Sequence, residues 1–154
     1  MSTTYQIFEK AERIELISAA GYALLAQRFG GEPEARALFL KLEEEELQHA
    51  ARVRLLAARY RHDSRLLDGS PADPRELDLM LEDAEAAFAA IREGDFANSA
   101  EEAVVNLIAL EDRCARAHAE LIAHDGHPAL REFFHQLAAQ DRAHREMLLG
   151  LKAR

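Results

Sequence analysis

The chain has a single cysteine, Cys114, and no tryptophan. One cysteine excludes an internal disulfide, a CxxC redox pair and any zinc or rubredoxin-type site built on sulfur. Valine, isoleucine and threonine are scarce, and no segment alternates apolar with polar residues, so no strand is predicted. No apolar run approaches the ~20 residues of a membrane span. Positive charge is also short: the formal net charge is −9, with no basic patch to displace the counterions of a nucleic-acid backbone. The opening residues, MSTTYQIFEKAER, lack the basic and apolar regions of a secretory leader, so the cytoplasm is the expected location. Neither a nucleic acid nor a membrane is expected as a partner.

What remains is a chain of 154 residues dominated by Ala, Leu, Glu and Arg, a composition that favours helix. Its length suits one domain, 1–154, with a core of its own. Ser2, Thr3 and Thr4 offer caps for a first helix that ends at Gly30-Gly31. Pro33 suits the first turn of a second helix, which is expected to fray between Tyr60 and Leu67. Asp73-Pro74 reads as the cap and first turn of a third helix over Pro74 to Glu93, with REGD as its exit. Asn98 or Ser99 caps a fourth, and Glu102 stands three residues after Ser99 in capping-box position. That helix ends at Gly126, and Pro128 opens the last one.

Steps of three and four residues trace one buried seam along each long helix. The first seam is Phe8, Ala11, Glu15, Ser18, Tyr22, Leu25, Phe29, and the second is Phe39, Leu42, Glu46, His49, Val53, Leu56, Tyr60. The fourth helix gives Val104, Leu107, Glu111, Cys114, His118, Leu121, and the last gives Leu130, Phe134, Leu137, Asp141, His144, Leu148, Leu151. Each seam is apolar at both ends and carries a carboxylate near its middle. Within the run Glu43 to Glu46 only Glu46 falls on the seam, so Glu43, Glu44 and Glu45 are expected on a solvated face.

Buried charge is costly unless paired or bound to metal, which makes four mid-seam carboxylates informative. Their heights agree as well. Glu15 precedes Gly30 by 15 residues, as Glu111 precedes Gly126; Glu46 follows Pro33 by 13, as Asp141 follows Pro128. The chain thus contains a repeat, Glu…Glu-x-x-His and Glu…Asp-x-x-His, and in antiparallel hairpins these offsets level the paired carboxylates. Residues i and i+3 share one helix face, so Glu46 with His49, and Asp141 with His144, can reach inward together. Four carboxylates match the charge of two divalent cations, and two imidazoles add one nitrogen ligand to each. A nitrogen and oxygen set without sulfur suits iron or manganese better than a closed structural zinc site.

Paired helices bearing Glu and then Glu-x-x-His resemble the ferritin-like di-iron carboxylate proteins, a pattern known from helix bundles generally. ELISAAGY (Glu15 to Tyr22), with its Glu and a Tyr seven residues later, is similar to the rubrerythrin and bacterioferritin branch. SAEEAVVNLIALEDRCARAH (Ser99 to His118) looks like the third bundle helix of rubrerythrin-type proteins. The resemblance spans almost the whole chain. It implies an all-α fold: an antiparallel four-helix bundle with a long helical crossover, here about Asp68 to Asn98, between the second and third bundle helices. It also implies two Fe ions, with manganese or zinc as substitutes. Glu15 and His49 would hold one, Glu111 and His144 the other, with Glu46 and Asp141 bridging and Tyr22 donating to a ligand carboxylate across the site.

Three positions depart from the pattern. Asp141 is one methylene shorter than the expected Glu. His118 stands where the first half-repeat has Tyr22, and reads as a partner of a ligand, a spare ligand or a buried histidine. Cys114 replaces an additional carboxylate that rubrerythrins carry three residues after Glu111, which weakens the case for rubrerythrin-type peroxidase chemistry. Its expected role is that of a small buried apolar residue rather than a redox thiol. His62, His124, His127 and His135 fall near helix ends or off the seams and receive no role.

The resemblance implies an oxidoreductase that oxidises Fe(II) with dioxygen or hydrogen peroxide, supplied by a separate protein electron donor and assembled as a homodimer or larger oligomer. The contrasting expectation is non-catalytic iron binding, storage or delivery, or a bundle that keeps only a structural metal.

Overall fold

A computed structural model describes residues 3–62, 75–124 and 128–152, all but a few of them helical. The elements are α1 (Thr3–Arg28), α2 (Pro33–His62), α3 (Arg75–Glu93), α4 (Ala100–His124) and α5 (Pro128–Lys152), with no strand among the described residues. The proposed caps at Ser2 and Asp73-Pro74, the fraying end toward Leu67 and the stop at Gly126 lie outside the described residues. No helix among the described residues is long and apolar enough to cross a membrane.

Helix boundaries follow local chemistry. Pro33 and Pro128 each open a helix, where a missing N–H costs nothing. The Ser99 hydroxyl accepts the Glu102 N–H at 3.1 Å, capping α4. The Glu102 carboxylate reaches back to the N–H of Asn98, at 3.1 Å, one residue beyond the usual capping-box partner. α3 stops at Gly94, whose φ of +84° suits a residue without Cβ. There the Gly94 N–H bonds to Ile91 O and the Asp95 N–H to Ala90 O, which satisfies two terminal carbonyls.

α1 packs against α2, and α4 against α5. α3 lies on α1 and only lightly on α4, while α2 also meets α5. Gly21 lets α3 come close to α1, since a Cβ there would stand 3.3 Å from Ile91 Cδ1. The core divides into two apolar clusters. One gathers Ile7, Phe8, Val53, Leu77, Phe134 and Leu137; the other gathers Leu25, Phe39, Leu42, Val104, Leu107 and Leu148. Between them sits a buried polar layer of Glu15, Glu46, His49, Glu111, His118, Asp141 and His144, each less than a tenth exposed. Burial of each large apolar side chain contributes roughly 1.5–3 kcal/mol, and the two clusters hold the polar layer from both sides.

The order of crossing is informative. α1, α3 and α5 run from the first cluster to the second, whereas α2 and α4 run from the second to the first. α3, between α2 and α4 in the chain, gives Leu77 and Met80 to the first cluster and Ile91 to the second. Ser99→Ala is expected to cost about 1 kcal/mol by loss of the cap. Urea unfolding of the two proteins checks this, and equal midpoints would remove the cap from the account.

Candidate metal centre

Each half of the chain delivers its polar residues to the same layer. On α1, Glu15 follows Ile14 and lies one turn below Ala19; on α2, Glu46 and His49 sit between the buried residues Leu42 and Val53. On α4, Glu111 and His118 follow Leu107, and on α5, Asp141 and His144 lie between Leu137 and Leu148. The seven-residue layer is the mid-seam set read from the sequence, together with His118.

Three of these residues converge most closely. Glu46, His49 and His144 each offer a ligand atom, all within 4.8 Å of one another. Glu46 Oε1 stands 2.7 Å from His144 Nδ1, and 3.8 Å from His49 Nδ1. The two rings stack at 5.2 Å between centroids and 15° between planes. Glu15 joins the group through His49 Nδ1 at 3.6 Å, and Glu111 through His144 Nδ1 at 3.5 Å. Each half-repeat is thus cross-connected: the histidine of α2 faces the carboxylate of α1, and that of α5 faces the carboxylate of α4.

Neither nitrogen of His144 makes a hydrogen bond, although both are buried. A buried polar atom without a partner is rare and calls for a ligand, an ion or a water. Glu46 Oε1 is near enough to Nδ1, but the approach is wrong for a hydrogen bond. A neutral imidazole carries one lone pair, so His144 can give one nitrogen to a cation shared with Glu46 and His49.

Tyr22 donates its hydroxyl to Glu111 Oε1 at 2.5 Å. Burial, then the Glu111 charge, pushes its phenol well above the ordinary range, so it remains a donor. Asp141 turns to a different neighbour: its Oδ2 lies 2.6 Å from Nδ1 of His118, a ring that is wholly buried and stacked on Phe134. His118 thus meets a carboxylate of the layer, Asp141. The pairing leaves Asp141 outside the tight Glu46, His49 and His144 group.

Electrostatics reflect crowding. Burial, then the charge of Glu15 and a hydrogen bond with it, pushes Glu46 well above the ordinary carboxylate range. Burial acts to raise Glu15 as well, but its hydrogen bonds with Glu46 and His49 outweigh this and hold it below its usual value. The pair therefore shares one proton, carried by Glu46. Burial pushes Asp141 up to about 6 despite the nearby His118. Burial opposes protonation of His118 and His144, yet Asp141 beside the first and Glu111 beside the second raise both.

A cavity of about 30 Å³ opens among Glu15, Glu46, Glu111 and Asp141, enough for one or two water-sized occupants. α3 roofs it with apolar side chains, among them Met80, Ala84, Phe88 and Ile91. Cys114 also lines it and is half-buried. Burial, then the charges of Asp141, Glu111 and Glu15, raises its thiol well above the usual range, which keeps it neutral and a poor nucleophile.

One expectation needs correction. Glu44 is exposed, but Glu43 and Glu45 are only half so, and Glu45 Oε1 lies 3.7 Å from His144 Nε2. Its other oxygen is buried without a partner. The signal was present: from Leu42 to His49 the steps three-then-four pass through Glu45 as readily as four-then-three pass through Glu46. Of the histidines without a role, His135 is exposed, while His127 and the side chains of His62 and His124 lie outside the described set.

Two outcomes are expected. Glu46, Asp141, His118 and His144 all hold protons more tightly in the folded chain, and Glu15 alone runs the other way. The folded state then binds more protons than the unfolded state above the ordinary carboxylate range, so stability present at acid pH is lost as pH rises through the raised values. Tm of the metal-free protein is therefore expected to fall from about pH 5 to about pH 8. A rise over that range in thermal unfolding would contradict the arrangement. Along the acidic run, Mn(II) titration is expected to show no change for Glu44→Ala, a loss of roughly tenfold for Glu45→Ala through His144, and a larger loss for Glu46→Ala. Equal affinities in all three would refute the assignment.

Compared with known proteins, the chain matches no family model, no curated protein and no solved structure, so its geometry and chemistry carry the functional reading.

Proposed function

We propose that the protein is a ferritin-like di-iron oxidoreductase, in which an antiparallel four-helix bundle of α1, α2, α4 and α5, crossed by α3, oxidises Fe(II) with dioxygen or hydrogen peroxide. The observation that carries this reading is the convergence of Glu46, His49 and His144, with neither nitrogen of His144 in a hydrogen bond, inside a layer that also buries Glu15, Glu111 and Asp141. The alternating order in which the helices cross the two apolar clusters supports the bundle topology. The donor set supports iron or manganese, since it offers oxygen and imidazole nitrogen.

In this reading Glu15 and His49 would hold one ion and Glu111 and His144 the other, with Glu46 as a further carboxylate available to both. Bound iron would supply two electrons, which with two protons reduce one peroxide to two waters or one dioxygen to one peroxide. The protein's own share is to orient ligands and exclude bulk water. Tyr22 fixes Glu111 through its donated hydroxyl. His118 holds Asp141 and keeps a proton between Nδ1 and Oδ2. Glu46 would give up its proton to a bound cation, so uptake would release protons. A cavity of about 30 Å³ suits a diatomic oxidant and is far smaller than a pocket for an organic substrate. A cytoplasmic setting, an external protein electron donor and a homodimer or larger assembly belong to the same proposal.

A second reading has its own observation. Because Asp141 is engaged by His118, a single cation held by Glu46, His49 and His144 would make the site structural, or one of iron binding and delivery without turnover. Anaerobic loading with Fe(II), followed by separate additions of dioxygen and peroxide, distinguishes them. The di-iron reading expects about two irons per chain by elemental analysis, oxidation by at least one oxidant, and loss of most oxidation in Glu46→Ala. One iron that stays ferrous favours the structural reading, and none overturns both.

A further inference from the structure

The roof of the cavity is asymmetric. α3 packs firmly on α1, where Gly21 admits Ile91, but only lightly on α4. Along the α3–α4 seam two surface depressions reach the cavity wall. One, of about 380 Å³, is bounded by Leu79, Ala117 and Glu120 and shares Met80 and Cys114 with the inner cavity. The other, of about 350 Å³, shares Ala87 and Leu110 with it. The Asp83 to Arg113 ion pair, at 3.5 Å, crosses between the helices where the two depressions meet.

On the α3–α4 side, therefore, one layer of side chains separates solvent from the carboxylate cavity. Those side chains are two sulfur residues, an alanine and a leucine. None of these four offers an oxygen or an imidazole, so a hard cation that collects at Glu76, Asp83 or Glu120 in the outer depressions finds no further step through the wall. A small neutral molecule needs no such ligand, and it faces a flexible side chain at Met80 and a small one at Cys114. Cys114 is the position at which the inner cavity and the larger depression both touch α4.

We infer that the α3–α4 seam is the route by which a small neutral oxidant reaches the metal centre, that Met80 and Cys114 form its inner wall, and that the cations arrive elsewhere. This rests on the metal-centre reading above and gives Cys114 a role that neither a ligand nor a redox thiol would fill. The residue that replaces the resembled family's carboxylate sets access to the site.

The test uses the full chain and two substitutions. Cys114→Ala thins the wall; Leu79→Trp fills the outer depression from a half-exposed position on α3, away from every proposed ligand. Three quantities are read: the uptake rate of Mn(II), the rate at which each oxidant oxidises the Fe(II)-loaded protein, and the rate at which methyl methanethiosulfonate labels Cys114 in metal-free protein. Leu79→Trp is expected to slow labelling and oxidation together by several-fold. Cys114→Ala is expected to speed oxidation, and Mn(II) uptake is expected to be the same in all three proteins. Whichever of dioxygen and peroxide follows the substitutions is the oxidant the seam admits. Oxidation rates that ignore both substitutions at full metal loading overturn the route, as do uptake rates that change in step with oxidation. A wild-type chain that binds no cation overturns the metal-centre reading itself and takes the route with it, so the two failures are told apart.

Discussion

Four carboxylates at one height in the middle of an apolar bundle constrain everything else in this protein. Each ion removed from water costs several kcal/mol unless its charge is compensated, and the layer holds few compensating charges of its own. The metal-free chain manages with protons. Glu46 takes one, Asp141 is raised to about 6 beside His118, and Tyr22 donates to Glu111. A divalent cation would compensate the same charge more completely and would take one nitrogen of His144, neither of which makes a hydrogen bond. The cluster is therefore a poor stabilising device in itself, and a buried group that could hold a metal ion.

The rest of the fold makes that strain tolerable. Apolar clusters on either side of the layer, with Phe8 and Phe134 in one and Phe39 and Leu148 in the other, fix the four long helices above and below it. The inward-facing residues are then held by rigid helices rather than loops, which keeps ligand atoms close without a metal to gather them. α3 has a different task. It closes the open face of the layer with an apolar roof, and its uneven packing leaves α4 as the lightly covered side.

Much of this was legible in the sequence because helical periodicity is rigid. With the seams traced at steps of three and four, the matching distances to Gly30, Gly126, Pro33 and Pro128 level the four carboxylates in antiparallel hairpins, and Glu15, Glu46, His49, Glu111, Asp141 and His144 are all buried. What periodicity cannot resolve is the choice between adjacent positions on the same face. Glu45 and Glu46 satisfy the spacing equally, and the packing of α5 against α2 places Glu45 near His144. Nor does spacing decide how a side chain turns about its own bonds. Asp141 lies on its seam as expected, yet its short side chain meets His118 on the facing helix α4, at 2.6 Å, rather than the Glu46 group. The light contact between α3 and α4 was also hidden, since it depends on where a connecting helix settles rather than on any motif.

The central claim is that this layer is a cation site of two ions. Anomalous X-ray scattering from crystals soaked in Mn(II) measures that directly. The account expects two peaks inside the bundle, one between Glu15 and His49 and the other between Glu111 and His144, with Glu46 facing both. Peaks confined to surface carboxylates, with the buried layer empty and its protons retained, would contradict it.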